Sequence, residues 1–389
     1  MKSWKGKAGL AFVTCLAAIV MIAGCSGEKD GEKEKAVSSS GQPSFTIAAS
    51  EYPSWSTLFV AHRLGLINSE EGKLGPIEQK WKVDIVVKEA DYDTCLTLYG
   101  SGTVDADCHT NIDALAPALG RPSVVFGPTS TSVGADATIT VGVTDIDDLK
   151  NFTTYGLEKS VAHFSWYATL VEAGKDPKDY TFKNMDPAAA AQAMQTSQEN
   201  INAIQVWNPF VMQTLRTRSG TSVTLTSAKI PEQIVDAFVI GKDVLAKPGG
   251  ENFACALLDT FYQVNEALGP ALGKKGETLD EAKAETLVAG LTDAQRKALV
   301  SLGDKFSNLS AEDMAICTHQ TVFYRNADEG IALFNNTEFQ TKTTPFVTKF
   351  CADFGIVDKT PTVSFGDYKQ SSSQLTYDTQ FMQRVKDKK

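Results

Sequence analysis

The chain has 389 residues, with 37 lysines and arginines against 47 aspartates and glutamates, a formal net charge of −10. That length allows two domains and a large core, and the acidic balance argues against non-specific nucleic-acid binding. Beyond the first two dozen residues no apolar run is long enough to span a bilayer.

Those first residues are a separate object. Lys2, Lys5 and Lys7 precede the apolar run Ala8 to Met21, too short and wrongly flanked for a spanning helix. The run ends in Ile22-Ala23-Gly24-Cys25. This resembles a bacterial lipoprotein signal, which implies cleavage before Cys25 and lipidation of its thiol; an ordinary secretory peptide or an uncleaved anchor are the alternatives. Two acyl chains suffice for stable anchoring. Removal of residues 1–24 leaves 34 basic against 47 acidic residues, a net charge of −13. Residues 25–43, rich in Gly, Ser, Lys and Glu, cannot bury a core and read as a flexible linker.

From Ser44 the pattern is alternating strand and helix. Ser44–Ala49 alternates as an opening strand. Pro53 and its serine neighbours make a loop, and Ser56–Leu64 is helical, with Leu58, Phe59, Ala61 and Leu64 near one face and Gly65 as its stop. Val83–Val87 is a strand and Tyr92–Tyr99 a helix. The stretch from Asp105 through Asn111 to Ala114 reads as a strand turning a polar corner into a helix that closes at Gly120. In open α/β sheets such corners hold ligands. Ser123–Phe126 is a strand leaving this first lobe.

The alternation then restarts. Strands are expected at 137–141, 152–155, 180–182, 201–207 and 221–226, and helices at 146–150, 161–173 (capped by Ser160), 188–194 (opened by Pro187) and after Pro209. This predicts a second parallel α/β lobe. Asp236–Ile240 is read as a strand returning to the first lobe. Helices follow over 253–268, 279–290 and 293–302, a mainly helical stretch runs to Phe354, and Leu375 to Val385 carries apolar residues at near-helical spacing.

No catalytic signature is present: no H-E-x-x-H, no G-x-S-x-G, and Gly269 to Lys275 lacks the spacing of a phosphate loop. The cysteines match no zinc pattern, and Cys95, Cys108, Cys255, Cys317 and Cys351 read as buried apolar residues, with room for a disulfide. No metal or cofactor is implied. What stands out is aromatic, amide and carboxylate residues at strand-to-helix corners. Glu51, Tyr52 and Trp55 occupy the first, and Asn111 and Asp113 the third. Ser132 and Asp136 lie near the first crossing between lobes, Ser160 and His163 open a helix, Trp207 and Asn208 sit at a further corner, and Asp236 begins the returning strand. Trp55 and Trp207 suit flat walls for a cation or amide, with Glu51, Asp113 and Asp236 accepting from ligand N–H groups. Asn111, Asp113 and Ser160 equally suit helix caps, and both tryptophans suit a core.

These residues resemble a known family. The signal, the linker, Leu58-Phe59-Val60-Ala61 followed by Gly65-Leu66, Val104-Asp105-Ala106 and the ending Leu375-Thr376-Tyr377-Asp378 are similar to the nitrate, sulfonate, taurine and thiamine-precursor solute-binding proteins of ABC importers. Four motifs resemble the subgroup encoded beside urea carboxylase: Thr110-Asn111-Ile112-Asp113-Ala114-Leu115, Ser160-Val161-Ala162-His163, Val206-Trp207-Asn208-Pro209 and Ile230 to Asp236. Cys108-His109 and Gly134-Ala135-Asp136-Ala137 depart from it. The resemblance implies a type II periplasmic-binding-protein fold, two α/β lobes with a ligand cleft between them. Lobe 1 would be 44–130 and 236–389, and lobe 2 would be 131–235, with crossings near Gly127–Thr131 and Ile234–Asp236. It implies a non-enzymatic protein of the cell envelope, lipid-anchored, that delivers a small solute to an ABC permease driven by a separate ATPase. The implied solute is urea- or guanidine-like, with sulfonate, taurine, nitrate or pyrimidine as alternatives and a ligand-sensing receptor or a thiamine-pyrimidine synthase as rival classes. The expected ligand contacts are Glu51, Tyr52, Trp55, Asn111, Asp113, Ser132, His163, Trp207, Asn208 and Asp236.

Overall fold

The structure, a computed structural model, describes residues 41–274, 277–304 and 309–388. The signal segment, Cys25 and all of the linker up to residue 40 lie outside the described residues. Thirteen strands are found among those described: β1 Ser44–Ala49, β2 Asp84–Glu89, β3 Ala106–Thr110, β4 Ser123–Ser132, β5 Asp136–Val141, β6 Thr153–Gly156, β7 Thr181–Asn184, β8 Ala203–Trp207, β9 Thr221–Thr226, β10 Val235–Gly241, β11 Thr321–Phe323, β12 Val363–Phe365 and β13 Leu375–Tyr377.

They form two sheets. The first runs β12-β13-β4-β10-β3-β1-β2, with β11 paired to β4; the second runs β7-β6-β8-β5-β9. Each repeats one plan: second, first and third strand of the lobe, then an interposed strand, then the fourth. The interposed strands are β10 and β5, and each is antiparallel to both neighbours. Each is also the strand that follows a crossing from the other lobe, so the chain enters its new sheet against the grain. The all-parallel second sheet expected from the alternation is therefore corrected to a mixed one. Local pattern shows where a strand lies, not its direction.

Two further corrections concern short strands and one a helix face. The helical reading of residues 304–354 hid β11, and the near-helical spacing after Leu375 is a strand followed by the helix Gln380–Asp387. Three residues are too few to show alternation, yet Leu375 and Tyr377 of β13 are buried as they extend the sheet beyond β4. On the helix Thr57–Arg63 the buried residues are Thr57, Leu58, Val60 and Ala61, whereas Leu64, expected on the apolar face, is 46% exposed.

The first sheet packs on the 19-residue helix Gly250–Leu268, whose Phe253 stacks on Phe45 with ring centroids 5.0 Å apart. The second sheet is covered on both faces: one buried cluster holds Ala137, Ile139, Ile204, Val206 and Met194, another Leu149, Trp166, Leu170 and Leu225. The five cysteines of the described residues are free and buried, without a disulfide.

The chain passes between the sheets at residues 133–135 and 227–234. The two passages are bonded to each other: the hydroxyls of Ser132 and Ser227 lie 2.7 Å apart, and the Gly134 amide donates to Ser227 Oγ at 2.9 Å. Gly134 has φ +105°, a backbone state that side chains rarely adopt, so a glycine suits this passage. C-terminal helices add a third link between lobes. Arg216, on helix Phe210–Thr217, bonds Asp313 at 2.7 Å and Glu281 at 2.5 Å, and Phe164 meets Phe350 edge-on at 5.3 Å.

Candidate functional site: an aromatic cavity between the lobes

The carboxyl ends of the first-lobe strands bring several corners together. Tyr52 and Trp55 lie in the turn after β1, Tyr92 opens the helix after β2, and Thr110 ends β3. The second lobe contributes Asp136, the first residue of β5, Val161, the first residue of the helix after β6, and Trp207, the last of β8. With Asp236 of β10 these eight residues line one small cavity. Its free volume is ≈ 10 Å³, about one water, far below the roughly 300–1,000 Å³ of drug-sized sites, so the walls meet around almost no free space.

Its walls are aromatic and continuous across the lobes. Trp55 stacks on Tyr92 at 5.2 Å with 22° between planes, Tyr52 leans on Trp55 at 4.9 Å, and Tyr92 meets Trp207 of the other lobe edge-on at 5.5 Å. The Trp55 indole N–H is buried and has no hydrogen-bond partner among the described residues.

The polar groups are two carboxylates. Asp136 and Asp236 are each 2% exposed. The Ser130 hydroxyl donates to Asp236 at 2.5 Å, and Ser132 hydrogen-bonds Asp136. Burial raises the pKa of Asp136 to about 7, with the charge of Asp113 adding to it against the Ser132 hydrogen bond. Burial holds Asp236 well above the carboxylate range, and the nearby Asp136 pushes the same way. Tyr52 and Tyr92 are likewise raised, by burial first and then by Asp236 and Asp113 respectively. No lysine, arginine or histidine is among the described residues that line the cavity. Electronegative ring faces and two carboxylates around a dry space favour a ligand with positive charge or several N–H donors.

Four expected residues thus meet here: Tyr52, Trp55, Trp207 and Asp236. The other six stand elsewhere. Asp113 is buried beside the cavity; its Oδ2 accepts from Tyr92 Oη and Thr110 Oγ1, both at 2.8 Å, and from the Val161 amide of the second lobe at 3.2 Å. Asn111 holds the second passage rather than capping a helix: its side chain accepts from the Val235 amide at 2.9 Å and donates to the Gln233 carbonyl at 3.0 Å. The helix beyond it, Leu115–Gly120, begins at Ala114 without a side-chain cap. Ser132 joins the two passages, as described above. Asn208 donates to Gln320 Oε1 at 2.6 Å. His163 stacks on Phe182 at 4.6 Å, and burial lowers its pKa to about 4. Glu51 lines a larger pocket, ≈ 310 Å³, with Glu89, Asp91 and Asp186, and this pocket shares the Tyr92 and Trp207 rings with the inner cavity.

Sequence reasoning missed Tyr92, Thr110 and Val161, and noted Asp136 near a crossing without selecting it. Tyr92 stands at the same kind of strand-to-helix corner as the others, so the rule that found Trp55 applies to it. Val161 and Thr110 carry no chemical signal. Among the described residues no group of His, Cys, Asp and Glu is arranged to hold a metal ion, and no helix is long and apolar enough to cross a membrane.

No protein-family model matches the chain, and no curated protein is similar enough in sequence to count as a relative. Solved structures are similar over most of its length. The alkanesulfonate-binding protein SsuA from Xanthomonas axonopodis pv. citri, bound to MOPS, is 15% identical with a TM-score of 0.57, covering 81% of this chain and 94% of that one. The periplasmic aliphatic sulphonate binding protein SsuA from Escherichia coli is 16% identical with a TM-score of 0.56, covering 82% and 94%. A Candida albicans gene product described as exhibiting the generic periplasmic binding protein structural fold is 13% identical with a TM-score of 0.53, covering 82% and 92%. At such identities the likeness establishes architecture: the chain has the type II periplasmic-binding-protein fold, with two α/β lobes and a cleft between them.

Proposed function

We propose that this protein is an extracytoplasmic solute-binding lipoprotein that captures a small nitrogen-containing solute, urea- or guanidine-like, and delivers it to an ABC import permease with a separate ATPase. The supporting observation is the small cavity built by both lobes, lined by four aromatic rings and two carboxylates. Such a site binds by closure. Contacts from both lobes exist together only in the closed form, so a ligand that makes them shifts the open–closed equilibrium. A planar guanidinium satisfies both demands of the walls, stacking on rings and donating to Asp136 and Asp236.

A sulfonate or another oxoanion is the second reading. The Trp55 N–H, a buried donor without a partner among the described residues, favours an acceptor on the ligand, and two of the similar structures are proteins named for binding sulfonates. A thermal-shift series with guanidinium, urea, taurine, an alkanesulfonate and nitrate separates the two. A ligand at 100 times its Kd adds about 2.7 kcal/mol. Stabilisation by the anions alone rules out the nitrogen-donor reading.

Anchoring is proposed through a lipid on Cys25, from the Ile22-Ala23-Gly24-Cys25 sequence. Cys25→Ser is expected to leave the precursor unprocessed by lipoprotein peptidase, and normal processing and anchoring of that variant would refute it.

A further inference from the structure

Asp136 and Asp236 occupy matching places. Each belongs to the interposed, antiparallel strand of its sheet, and each lies within two residues of where that strand begins after a passage between lobes. They come from opposite lobes, and both line the one small cavity. Closing the lobes therefore removes two carboxylates from water and sets them around the same dry space. Two like charges so confined cannot both stay ionised without a counter-charge.

The surroundings supply none. The turn after β1 presents Tyr52, the helix after β2 presents Tyr92, and β3 and its corner present Cys108 and Asp113. β4 offers the hydroxyls of Ser130 and Ser132, the segment after β11 adds Tyr324, and the second lobe adds Trp207 and Val161. Each titratable group in this set is neutral or negative. His109, inside the first sheet, acts on Asp113 and pairs with Asp107 at 2.9 Å, and does not line the cavity.

We infer that Asp136 and Asp236 make lobe closure conditional on a positive charge at their shared cavity: a proton in the empty protein, the charge of the solute in the loaded one. Capture of a cation by the open, ionised protein then puts the solute's charge where the closed empty form holds a proton, and expels no proton. The empty protein, at a pH where both groups are ionised in the open form, is held open by the cost of burying them together. An importer gains from this, because an empty protein that stays open does not imitate a loaded one at the permease. The loaded half of the inference rests on the cationic reading above; the empty half does not.

The direction of the pH effect follows from the raised carboxyl groups. In the open cleft they titrate near the ordinary ~4, and in the closed form burial raises Asp136 to about 7 and holds Asp236 well above the usual carboxylate range. Closing therefore takes up protons. The closed fraction of empty protein is highest below pH ~4 and falls roughly tenfold per pH unit per carboxylate above it, through pH 7 for Asp136. Affinity for a monocation rises with pH only where the empty protein is protonated, below about pH 4, and does not rise further once both groups are ionised in the open form.

Two measurements on the full chain test this. Small-angle scattering of the ligand-free protein from pH 5 to 9 is expected to show expansion as pH rises, and Asp136→Asn is expected to weaken that dependence and stay more compact at pH 8. A wild-type radius independent of pH overturns the inference, whatever ligands bind and whether or not the variant folds. Calorimetry with guanidinium chloride at pH 6.5, in two buffers of different ionisation enthalpy, is expected to report no proton released per cation bound, because the open empty protein carries none on these groups at that pH. Binding with release of a proton at that pH overturns the inference and leaves the ligand reading intact. An absence of guanidinium binding beside a clear pH-dependent expansion supports the closure lock and sinks the ligand reading instead.

Discussion

Asp113 is positioned as a latch between lobes, and its removal has a calculable effect. One oxygen of its carboxylate accepts three hydrogen bonds, and only the one from the Val161 amide crosses the cleft. That amide belongs to the first residue of the helix Val161–Glu172, where backbone N–H groups lack intrahelical partners and the helix dipole favours a negative charge. When the lobes open, the amide turns to water. Asp113→Ala should therefore cost the closed form the worth of a bond to a charged acceptor, about 1.5–3 kcal/mol, which raises the Kd of a cleft ligand roughly 10- to 150-fold. The bonds to Tyr92 and Thr110 lie within one lobe and are lost in both forms. Their loss lowers the melting temperature without adding to the change in Kd. Asp113→Asn keeps an acceptor oxygen and should lose less than about tenfold, since a neutral bond is worth about 1 kcal/mol. Calorimetric titration with the solute that stabilises the wild type measures both variants. A folded Asp113→Ala protein that binds within about threefold of wild type would refute the latch.

Trp207→Ala removes the only aromatic wall that the second lobe gives to the described cavity; it should weaken binding by about tenfold or more, while Trp207→Phe retains part of the stacking. Arg216→Gln breaks the pairs with Asp313 and Glu281 that tie the C-terminal helices to the second lobe. These are partly exposed, so the expected loss in affinity is only a few-fold, about 0.5–1 kcal/mol, shrinking in high salt. His163 titrates at about 4 because burial disfavours its charged form, against ~6.5 when unfolded. Its contribution to stability is fully present above pH 6.5 and is lost as pH falls toward 4, since the unfolded chain binds the proton first. Denaturant unfolding between pH 7 and 4.5 should show that loss in wild type and a smaller one in His163→Phe; equal losses would mean that other groups carry the acid sensitivity.

The sequence made the strand-to-helix corners legible because composition marks them. Gly, Pro, Ser and Asn punctuate the ends of apolar segments, and those ends are where an α/β sheet holds ligands. On that ground Tyr52, Trp55, Trp207 and Asp236 are expected together, and they line one cavity. The roles of Asn111 and Asp113 were not legible. The same residue types cap helices, contact ligands and fasten crossings, and only the position of Val235 against Asn111 and of Val161 against Asp113 decides among these. Asp136 shows the limit most clearly: its neighbours in sequence mark a crossing, yet its importance comes from Asp236, a hundred residues away in the chain. Strand direction was equally invisible, because β5 and β10 look locally like any other strand and are antiparallel only through the topology of the crossings. The three-residue strands β11, β12 and β13 are held by pairing to longer neighbours, not by their own pattern.

The central claim is that a closed, aromatic, doubly carboxylated cavity selects a small cation or N–H donor. Calorimetric titration of the chain at pH 7 with guanidinium chloride and, in parallel, with an alkanesulfonate tests it most directly. Saturable one-to-one binding of guanidinium, lost in Asp236→Asn, with no heat from the sulfonate, is the predicted result. Saturable binding of the sulfonate with none of guanidinium or urea would contradict it.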